Sequence, residues 1–356
     1  MILHFFSNDK FLKPYLEFMN ANFDETEHYF IVWGGVDFAK IPIDSQKNLL
    51  KVKENLNLAS IIKIIKLMKK AQKIIIHSMY NRKLIVLLNL FPKSIRKSIW
   101  IVWGGDLYQY LDGTLNLKAR IFDLFRRRII HNVRGIGTLV SRDYDLIVRK
   151  YKTTADQYNV IYMSDERTKY IKDILNKNNE IKDDITRIIV GNSATESNNH
   201  EEILLELSKF SNHKIEVYCP LSYGQIKYGE KIKHIGNELF GKKFIALDEL
   251  LSMKEYVELL NRMDIGFFNN DRQQGLGNIY SLLYLGKKVY LRDSTTMWDE
   301  MTLDMRLKVF SIKSIKHDNF KGLRSIELED IKNNINILDK RYGPEYAIEL
   351  WSEVFI

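Results

Sequence analysis

Along almost its whole length the chain alternates between short β-branched or aromatic runs and longer stretches of helical period. It does so in two blocks. The first offers ILHFF (2–6), HYFIVW (28–33), KIIIHS (73–78), SIWIVW (98–103) and NVIYM (159–163) as strands, with helical stretches at 56–71, 80–91, 115–131 and 141–152. The second offers RIIVG (187–191), KIEVYC (214–219), KKFIAL (242–247), DIGFF (264–268) and KKVYLR (287–292), with helical stretches at 199–210, 225–238, 253–263, 278–285 and 296–305. Strands separated by helices must be joined by crossovers, and crossovers make parallel sheets covered by helices. Two blocks therefore predict two parallel-sheet α/β domains. The expected boundaries are 1–165 for the first domain, 166–185 for a polar linker, 186–335 for the second domain and 336–356 for closing helices.

The totals fit this division and narrow the function classes. At 356 residues the chain exceeds one ordinary core. The single cysteine, Cys219, excludes an internal disulfide or a cysteine-built metal site, and a reducing cytosol is the expected setting. MILHFFSNDK carries no basic segment ahead of an apolar core, so no signal peptide is expected; no apolar run approaches membrane-spanning length. The net charge of +9 suggests an anionic partner: nucleic acid, a phospholipid surface or a phosphorylated substrate. Neither a nucleic-acid-binding module nor aromatic–basic interleaving is present, so nucleic acid is not expected.

The string IVWGG occurs twice, in IVWGGVDF (31–38) and IVWGGDLY (101–108). Each copy reads as a buried strand running into two glycines, at the sheet edge where doubly wound folds bind ligands. The flanks differ, so a shared strand exit explains the repeat better than duplication. The two copies are expected to end neighbouring strands. Only the second places an acid, Asp106, directly after the glycines. His77 follows KIII at another strand end, with Asn81 close behind. A histidine or an acid at such a place can be a turn or packing residue, or it can supply a general base.

The richest stretch is DIGFFNNDRQQGLGNIYSLLYLGKKVYL (264–291). A strand ends at Phe268; a loop with Arg272, Gln273 and Gln274 follows; Gly275 and Gly277 then open an apolar helix near Asn278. Glycines before a helix expose backbone N–H groups to an anion, and an arginine beside them can grip a phosphate. The plainer reading is a strand–turn–helix with Asn278 as its N-cap. A second stretch, IIVGNSATESNNHEEIL (188–204), leaves a strand at Gly191, Asn192 and Ser193, where a ligand could lie; Asn198 and Glu201 read as a capping box. A third, VYCPLSYG (217–224), places Tyr218 and Tyr223 at a strand exit, to stack on a base or sugar or simply to pack. No metal is expected: Asp143 and Asp145 fit a helix's first turn, and the histidines lack paired metal spacing. FRRRIIHNVR (125–134) and IIKIIKLMKK (61–70) read as helices with apolar and cationic faces, which are either solvated or rest on anionic lipid.

Taken together, IVWGGDLY, VGNS, CPLSYG, DRQQGLGNIYSLLYLGKKVYL and MWDEM resemble, in order over residues 75–305, the bacterial TDP-N-acetylfucosamine:lipid II N-acetylfucosaminyltransferase family. Gly105 stands where that family usually shows alanine. The resemblance implies a GT-B glycosyltransferase: two doubly wound Rossmann-like domains facing a cleft, closing over the substrates. It implies a metal-independent enzyme without a cofactor. The donor would be a nucleotide sugar, TDP-linked, carrying a fucose-type 6-deoxy-amino sugar. The acceptor would be a polyprenyl-diphosphate-linked saccharide of enterobacterial common antigen or O-antigen synthesis. Gly191, Asn192, Ser193, Tyr218, Tyr223, Arg272, Gln273, Gln274, Gly275, Gly277 and Asn278 would bind the donor; Asn81, Trp103, Gly104, Gly105 and Tyr108 would bind the acceptor. Asp106 would be the base, with His77 second. Lys63, Lys66, Lys70, Arg126, Arg127 and Arg128 would hold the enzyme on the inner face of the plasma membrane. A UDP- or GDP-sugar transferase, a nucleotide-sugar epimerase and a scaffold in a polysaccharide assembly complex are the alternatives.

Overall fold

A computed structural model describes residues 1–9, 11–34, 48–52, 57–111, 116–177, 183–341 and 343–356. The chain forms two compact units, Met1–Asp165 with Pro344–Ile356, and Glu166–Gly343.

The first unit is built on seven parallel strands: β1 (Ile2–Ser7), β2 (His28–Trp33), β3 (Leu49–Val52), β4 (Lys73–His77), β5 (Ser98–Val102), β6 (Gly135–Thr138) and β7 (Asp156–Asn159). Their order is β3-β2-β1-β4-β5-β6-β7, so the winding reverses between β1 and β4. Phe5 of β1, for example, faces Ile31 of β2 on one side and Ile76 of β4 on the other. The strands read as nearly unbroken apolar runs because helices cover both faces. The order corrects one expectation. The two IVWGG copies end β2 and β5, which are separated by β1 and β4 and are not neighbours. The first copy beyond Gly34 lies outside the described residues.

Local chemistry accounts for the elements. Asn57 caps the Leu58–Lys70 helix by accepting from the Ser60 N–H, and Ile64 and Met68 form its narrow buried stripe. β6, sequence GIGT, has little apolar signal. Its glycines reflect close approach: a Cβ on Gly135 would come 2.4 Å from Tyr158, and one on Gly137 2.6 Å from Ile101. The last helix, Pro344–Phe355, belongs to this first unit. Trp351 is fully buried and donates from Nε1 to the Ile161 carbonyl at 2.9 Å, with Ala347, Leu350 and Val354 packed beside it.

The second unit carries β8 (Thr186–Val190), β9 (Ile215–Pro220), β10 (Phe244–Leu247), β11 (Ile265–Phe268), β12 (Lys288–Leu291) and β13 (Phe310–Ser311). Their order is β10-β9-β8-β11-β12-β13, again parallel and again reversing beside the first strand of the unit. Where a linker over 166–185 was expected, a helix runs Asp165–Lys177 and buries Ile171. Both units are thus doubly wound, as GT-B folds are.

Candidate active site

An open α/β sheet leaves a crevice at its carboxyl ends where the winding reverses. In the second unit that place lies between β8 and β11. Three distant stretches of sequence meet there. Gly191 leaves β8 at φ +70°, in the left-handed region, and Asn192 and Ser193 follow, both buried. Gln274, in the loop after β11, donates to Ser193 Oγ at 3.0 Å and accepts from Ser197 Oγ at 2.7 Å. Asn192 Nδ2 donates to the Tyr223 hydroxyl at 3.1 Å. The Ala194 N–H donates to the Tyr223 carbonyl at 2.8 Å, and the Gln225 N–H to the Ala194 carbonyl at 2.6 Å, so the VYCPLSYG loop is stitched to the VGNS loop. Gly224 makes this possible. Its φ is +122°, and a Cβ would sit 2.4 Å from the Ala194 oxygen.

Gly275, at φ +71°, is the N-cap of the Leu276–Tyr284 helix and supplies no side-chain acceptor to the helix's first N–H groups. Asn192 packs against it, with Oδ1 3.1 Å from where a Gly275 Cβ would stand. Arg272 is half-buried and donates to the Gln273 carbonyl at 3.2 Å. Asn278 is not the N-cap; it lies in the first turn and donates from Nδ2 to the Tyr256 hydroxyl at 2.7 Å. Burial, and then Tyr223, push the Tyr256 hydroxyl up, so it stays a neutral O–H.

Two expectations change here. Tyr218 does not join the crevice. Its hydroxyl donates to Glu216 at 2.8 Å, within the Arg187–Asp183–Glu216 ion pairs near the start of the sheet. Glu216 and Tyr218 share a face of β9, and the Tyr218 ring reaches back along the strand, away from the exit that Tyr223 occupies. Asn198 is not a cap either: Asn199 precedes the His200–Leu207 helix without a side-chain cap. Asn198 is instead fully buried and accepts on Oδ1 from the Asn192 N–H at 2.9 Å and from Asn270 Nδ2 at 3.2 Å. It ties the two exit loops together, as does Asn270, which sequence reasoning passed over. Their signal was the density of asparagines in NSATESNN and FFNND. His200 backs Gly191, 2.3 Å from where a Cβ would stand; burial lowers its pKa to about 4, so it is neutral at pH 7.

The carboxyl edge of the first unit holds the remaining candidates. Asp106 is fully buried. Its Oδ2 accepts from the Met79 N–H and from Trp100 Nε1, each at 2.8 Å, and its Oδ1 from the Trp103 N–H at 2.9 Å. Burial raises its pKa, against those bonds and the charge of Arg126. This carboxylate ties the exits of β4 and β5 together. It fixes the turn at Ser78, a non-glycine held at φ +71°, and the turn at Gly104, at φ +78°. With both oxygens occupied and no surface exposure, it does not have the geometry of a base. Asn81 caps the Arg82–Leu90 helix through Lys83 and Leu84, and Tyr108 donates to Asp143 at 2.6 Å, so both polar groups are structurally engaged. Gly105 begins the short Gly105–Tyr108 helix.

His77 stands in a chain of buried groups. Its Nδ1 bonds the Tyr162 hydroxyl, its Nε2 lies 3.1 Å from His4 Nδ1, and His4 Nε2 lies 2.9 Å from His28 Nδ1. Trp103 Nε1 donates to the same Tyr162 oxygen at 2.9 Å. Each histidine is held well below its ordinary pKa by burial, His28 at about 4, so all three are neutral. A neutral imidazole has one N–H, so the direction of one bond fixes the others. Tyr162, half-buried, ends the chain at the sheet edge.

Of the residues expected at a membrane, Lys63, Lys66, Lys70 and Arg128 are exposed and Arg127 is partly so, paired with Asp123. Arg126 is not: it is fully buried, pairs with Asp123 at 3.0 Å, donates to the Asp106 carbonyl and stacks 3.7 Å from the Tyr110 ring centroid. On the same Leu117–Asn132 helix, Leu117, Ile121, Leu124 and Phe125 are exposed, as are Val86 and Leu90 of the adjoining Arg82–Leu90 helix. Among the described residues no helix is long and apolar enough to cross a membrane.

Residues 2–351 match the family described as 4-alpha-L-fucosyltransferase, glycosyl transferase group 56. A glycosyltransferase from Rickettsia africae is 11% identical with a TM-score of 0.69, over 99% of this chain and 97% of that one. Anabaena HepE, in complex with UDP and glucose, is 8% identical with a TM-score of 0.67, over 100% and 99%. A UDP-forming alpha,alpha-trehalose-phosphate synthase from Burkholderia xenovorans is 9% identical with a TM-score of 0.65, over 99% and 97%. At such identities the likeness is one of fold.

Proposed function

The chain belongs to the 4-alpha-L-fucosyltransferase family, glycosyl transferase group 56, and from that membership we propose which sugar it moves and to what. The donor is a TDP-linked 6-deoxy-amino sugar of fucose type. The acceptor is a polyprenyl-diphosphate-linked saccharide of surface-polysaccharide synthesis, met at the inner face of the plasma membrane. The observation that carries the donor half is the convergence of Gly191–Ser193, Tyr223 and Arg272–Asn278 on one strand-exit crevice, beside a helix whose first N–H groups have no side-chain cap. That is an anion's place, and a nucleotide diphosphate fits it. Arg272 would meet the charge that the leaving diphosphate gains, a task that a metal performs in other transferases.

In this reading the acceptor oxygen attacks the anomeric carbon as the bond to the diphosphate breaks, and the diphosphate leaves with the bonding electrons. The acceptor's proton passes to the Tyr162 oxygen as the Tyr162 proton passes to His77 Nδ1. His77, and not Asp106, is thus the base. Its chain to His4 and His28 supports this, because a His77 Nε2–H donated to His4 leaves Nδ1 free to accept. The exposed apolar rows on 82–90 and 117–132, with Arg128 and the lysines of 58–70, support a resting surface on anionic lipid. The test is a thermal-shift panel of TDP, UDP, GDP and ADP, with magnesium and with EDTA. A ligand of the folded state raises the melting temperature. A shift with TDP, kept in EDTA and lost in Arg272→Ala, is expected. A shift with UDP alone would replace the thymidine donor by the nucleotide that Anabaena HepE binds. No shift at all would remove the donor reading.

A further inference from the structure

His77, His4 and His28 form a line that runs the length of the first sheet. His77 is the last residue of β4, His4 lies within β1 paired with Phe30 and Ile75, and His28 is the first residue of β2. The line therefore leads from the carboxyl edge, where Tyr162 ends it, to the amino edge. With the Tyr162 hydroxyl as donor to His77 Nδ1, as the role of base requires, every other link is set. His77 carries its hydrogen on Nε2 and gives it to His4 Nδ1; His4 carries its own on Nε2 and gives it to His28 Nδ1. The walls of the line are rings. The His77 ring centroid lies 4.3 Å from that of Phe6 and 4.8 Å from that of Tyr15, His4 stacks 4.6 Å from Phe30, and His28 lies 4.7 Å from Phe355. The two ends differ in charge. At the carboxyl edge burial, and then Asp9 and Asp106, push the Tyr162 hydroxyl up despite its bond from Trp103, so Tyr162 passes a proton on and does not hold a negative charge. At the amino edge the exposed Asp24 acts on His28 and favours its charged form, against burial and the Met1 amine. For His77 burial alone sets the direction, and for His4 burial and the two neighbouring rings.

We propose that His4 and His28 are a proton relay for the base, so that the positive charge gained from the acceptor's proton comes to rest on His28, two rings away from His77. This rests on the reading of His77 as the base. The acceptor's proton goes to the Tyr162 oxygen, the Tyr162 proton to His77 Nδ1, the His77 Nε2 proton to His4 Nδ1, and the His4 Nε2 proton to His28 Nδ1. His28 then holds both ring protons and the charge, while His77 and His4 are neutral in their other tautomers. After the product leaves, the protons run back and Tyr162 releases one to water at the carboxyl edge. An imidazolium at His77 sits among uncharged rings, whereas one at His28 has Asp24. A base that shares its charge in this way accepts a proton that its own ring is poorly placed to keep. His4 and His28 act through His77 and are positioning residues for the transfer.

The experiment pairs nitrogen-15 NMR of the histidine-labelled full chain with the kinetics of sugar transfer from the TDP-linked donor (the UDP-linked donor if the thermal panel selects uridine). In the resting parent all three rings should carry hydrogen on Nε2 and none on Nδ1. A hydrogen on Nδ1 of any of them overturns the relay, whatever the activity, and this spectrum needs no variant. His28→Asn places an amide oxygen where Nδ1 stands, so it accepts the His4 Nε2–H and keeps the tautomers but carries no proton further. Its kcat should fall about tenfold to a hundredfold, with KM and the His77 tautomer unchanged, against about 10²–10⁴-fold for His77→Gln. Should His28→Asn fail to fold, His28→Gln takes its place. An unchanged kcat in His28→Asn, with His77→Gln slow, overturns the relay and leaves the base standing. A fall in kcat accompanied by a His77 that has moved its hydrogen to Nδ1 also overturns the relay, since tautomer control alone would then explain the loss. A His77→Gln variant as fast as the parent, or a parent without transfer, overturns both the relay and the base.

Discussion

Asp106→Asn separates a positioning carboxylate from a catalytic one. Three N–H groups converge on Asp106: Met79 and Trp100 on one oxygen, Trp103 on the other. Asparagine keeps one oxygen. With the amide oriented to retain two bonds, the third N–H faces an NH2 group and is left buried without an acceptor, at a cost of about 1–3 kcal/mol. The two retained bonds weaken from charge-assisted to neutral, losing about 1 kcal/mol together after relief of the buried charge that raises the carboxyl pKa. The sum is about 2–4 kcal/mol. For a unit of this size that lowers the melting temperature by roughly 4–16 °C. Urea unfolding followed by tryptophan fluorescence reads it, because four of the five tryptophans, Trp33, Trp100, Trp103 and Trp351, lie in the first unit and only Trp298 in the second. Initial rates of sugar transfer, measured well below the transition and normalised to folded protein, should stay within about tenfold of the parent, whereas loss of a general base costs about 10²–10⁴-fold. A variant as stable as the parent, or a stable one that has lost its rate, would refute the reasoning.

Acid should unfold the protein in a window that belongs to four buried histidines, His4, His28, His77 and His200. Their folded pKa values lie below the unfolded value of about 6.5, so the stability they contribute is present above that pH and is lost as pH falls toward 4. His28 and His200, each lowered to about 4, should each cost about 2 kcal/mol at pH 5, and the urea midpoint should fall between pH 7 and pH 5. Gly224→Ala forces a Cβ onto the Ala194 carbonyl at a positive φ; calorimetry should show a lower melting temperature, and the nucleotide-induced shift should disappear with it. Leu124→Ser with Arg128→Glu should reduce co-sedimentation with phosphatidylglycerol vesicles by about tenfold while leaving phosphatidylcholine binding and nucleotide binding unchanged.

The fold was legible because parallel sheets buried on both faces spell themselves in apolar runs. FFNND, IVWGG and RIIVG could hardly be anything but strand exits. What escaped was structure whose stability comes from elsewhere. GIGT carries little apolar signal, yet it is β6, with Tyr158 and Ile101 in the space that side chains at Gly135 and Gly137 would need. LLKV is too short to signal by itself and is β3, paired along Phe30–Trp33. The polar run from Asp165 carries one buried apolar residue, Ile171, and so looks like a linker although it is helical. The closing helix was visible, but not the unit it joins, since Trp351 packs more than 180 residues away from the carbonyl it bonds.

The site was legible in part for a different reason. Gly191, Gly224 and Gly275 can be read as exits because backbone conformation at φ > 0 is a local property with a local signature. Polar roles are not local. An acid after Gly-Gly looks the same whether its oxygens face solvent or three buried N–H groups, and for Asp106 only the positions of Met79 and Trp100 decide between base and tie. An arginine in a basic row looks like its neighbours, yet Arg126 supports the Asp106 turn from inside while Arg128, two residues on, meets solvent. The histidines make the same point in reverse. His4, His28 and His77 are far apart in sequence and show no ligand spacing, but β1 sits between β2 and β4, so the sheet order alone sets the three rings in a row. Pairing β1 with any other two strands would have left His77 without His4 to accept its Nε2–H, and its Nδ1 would then have no fixed reason to be the proton acceptor at the Tyr162 edge.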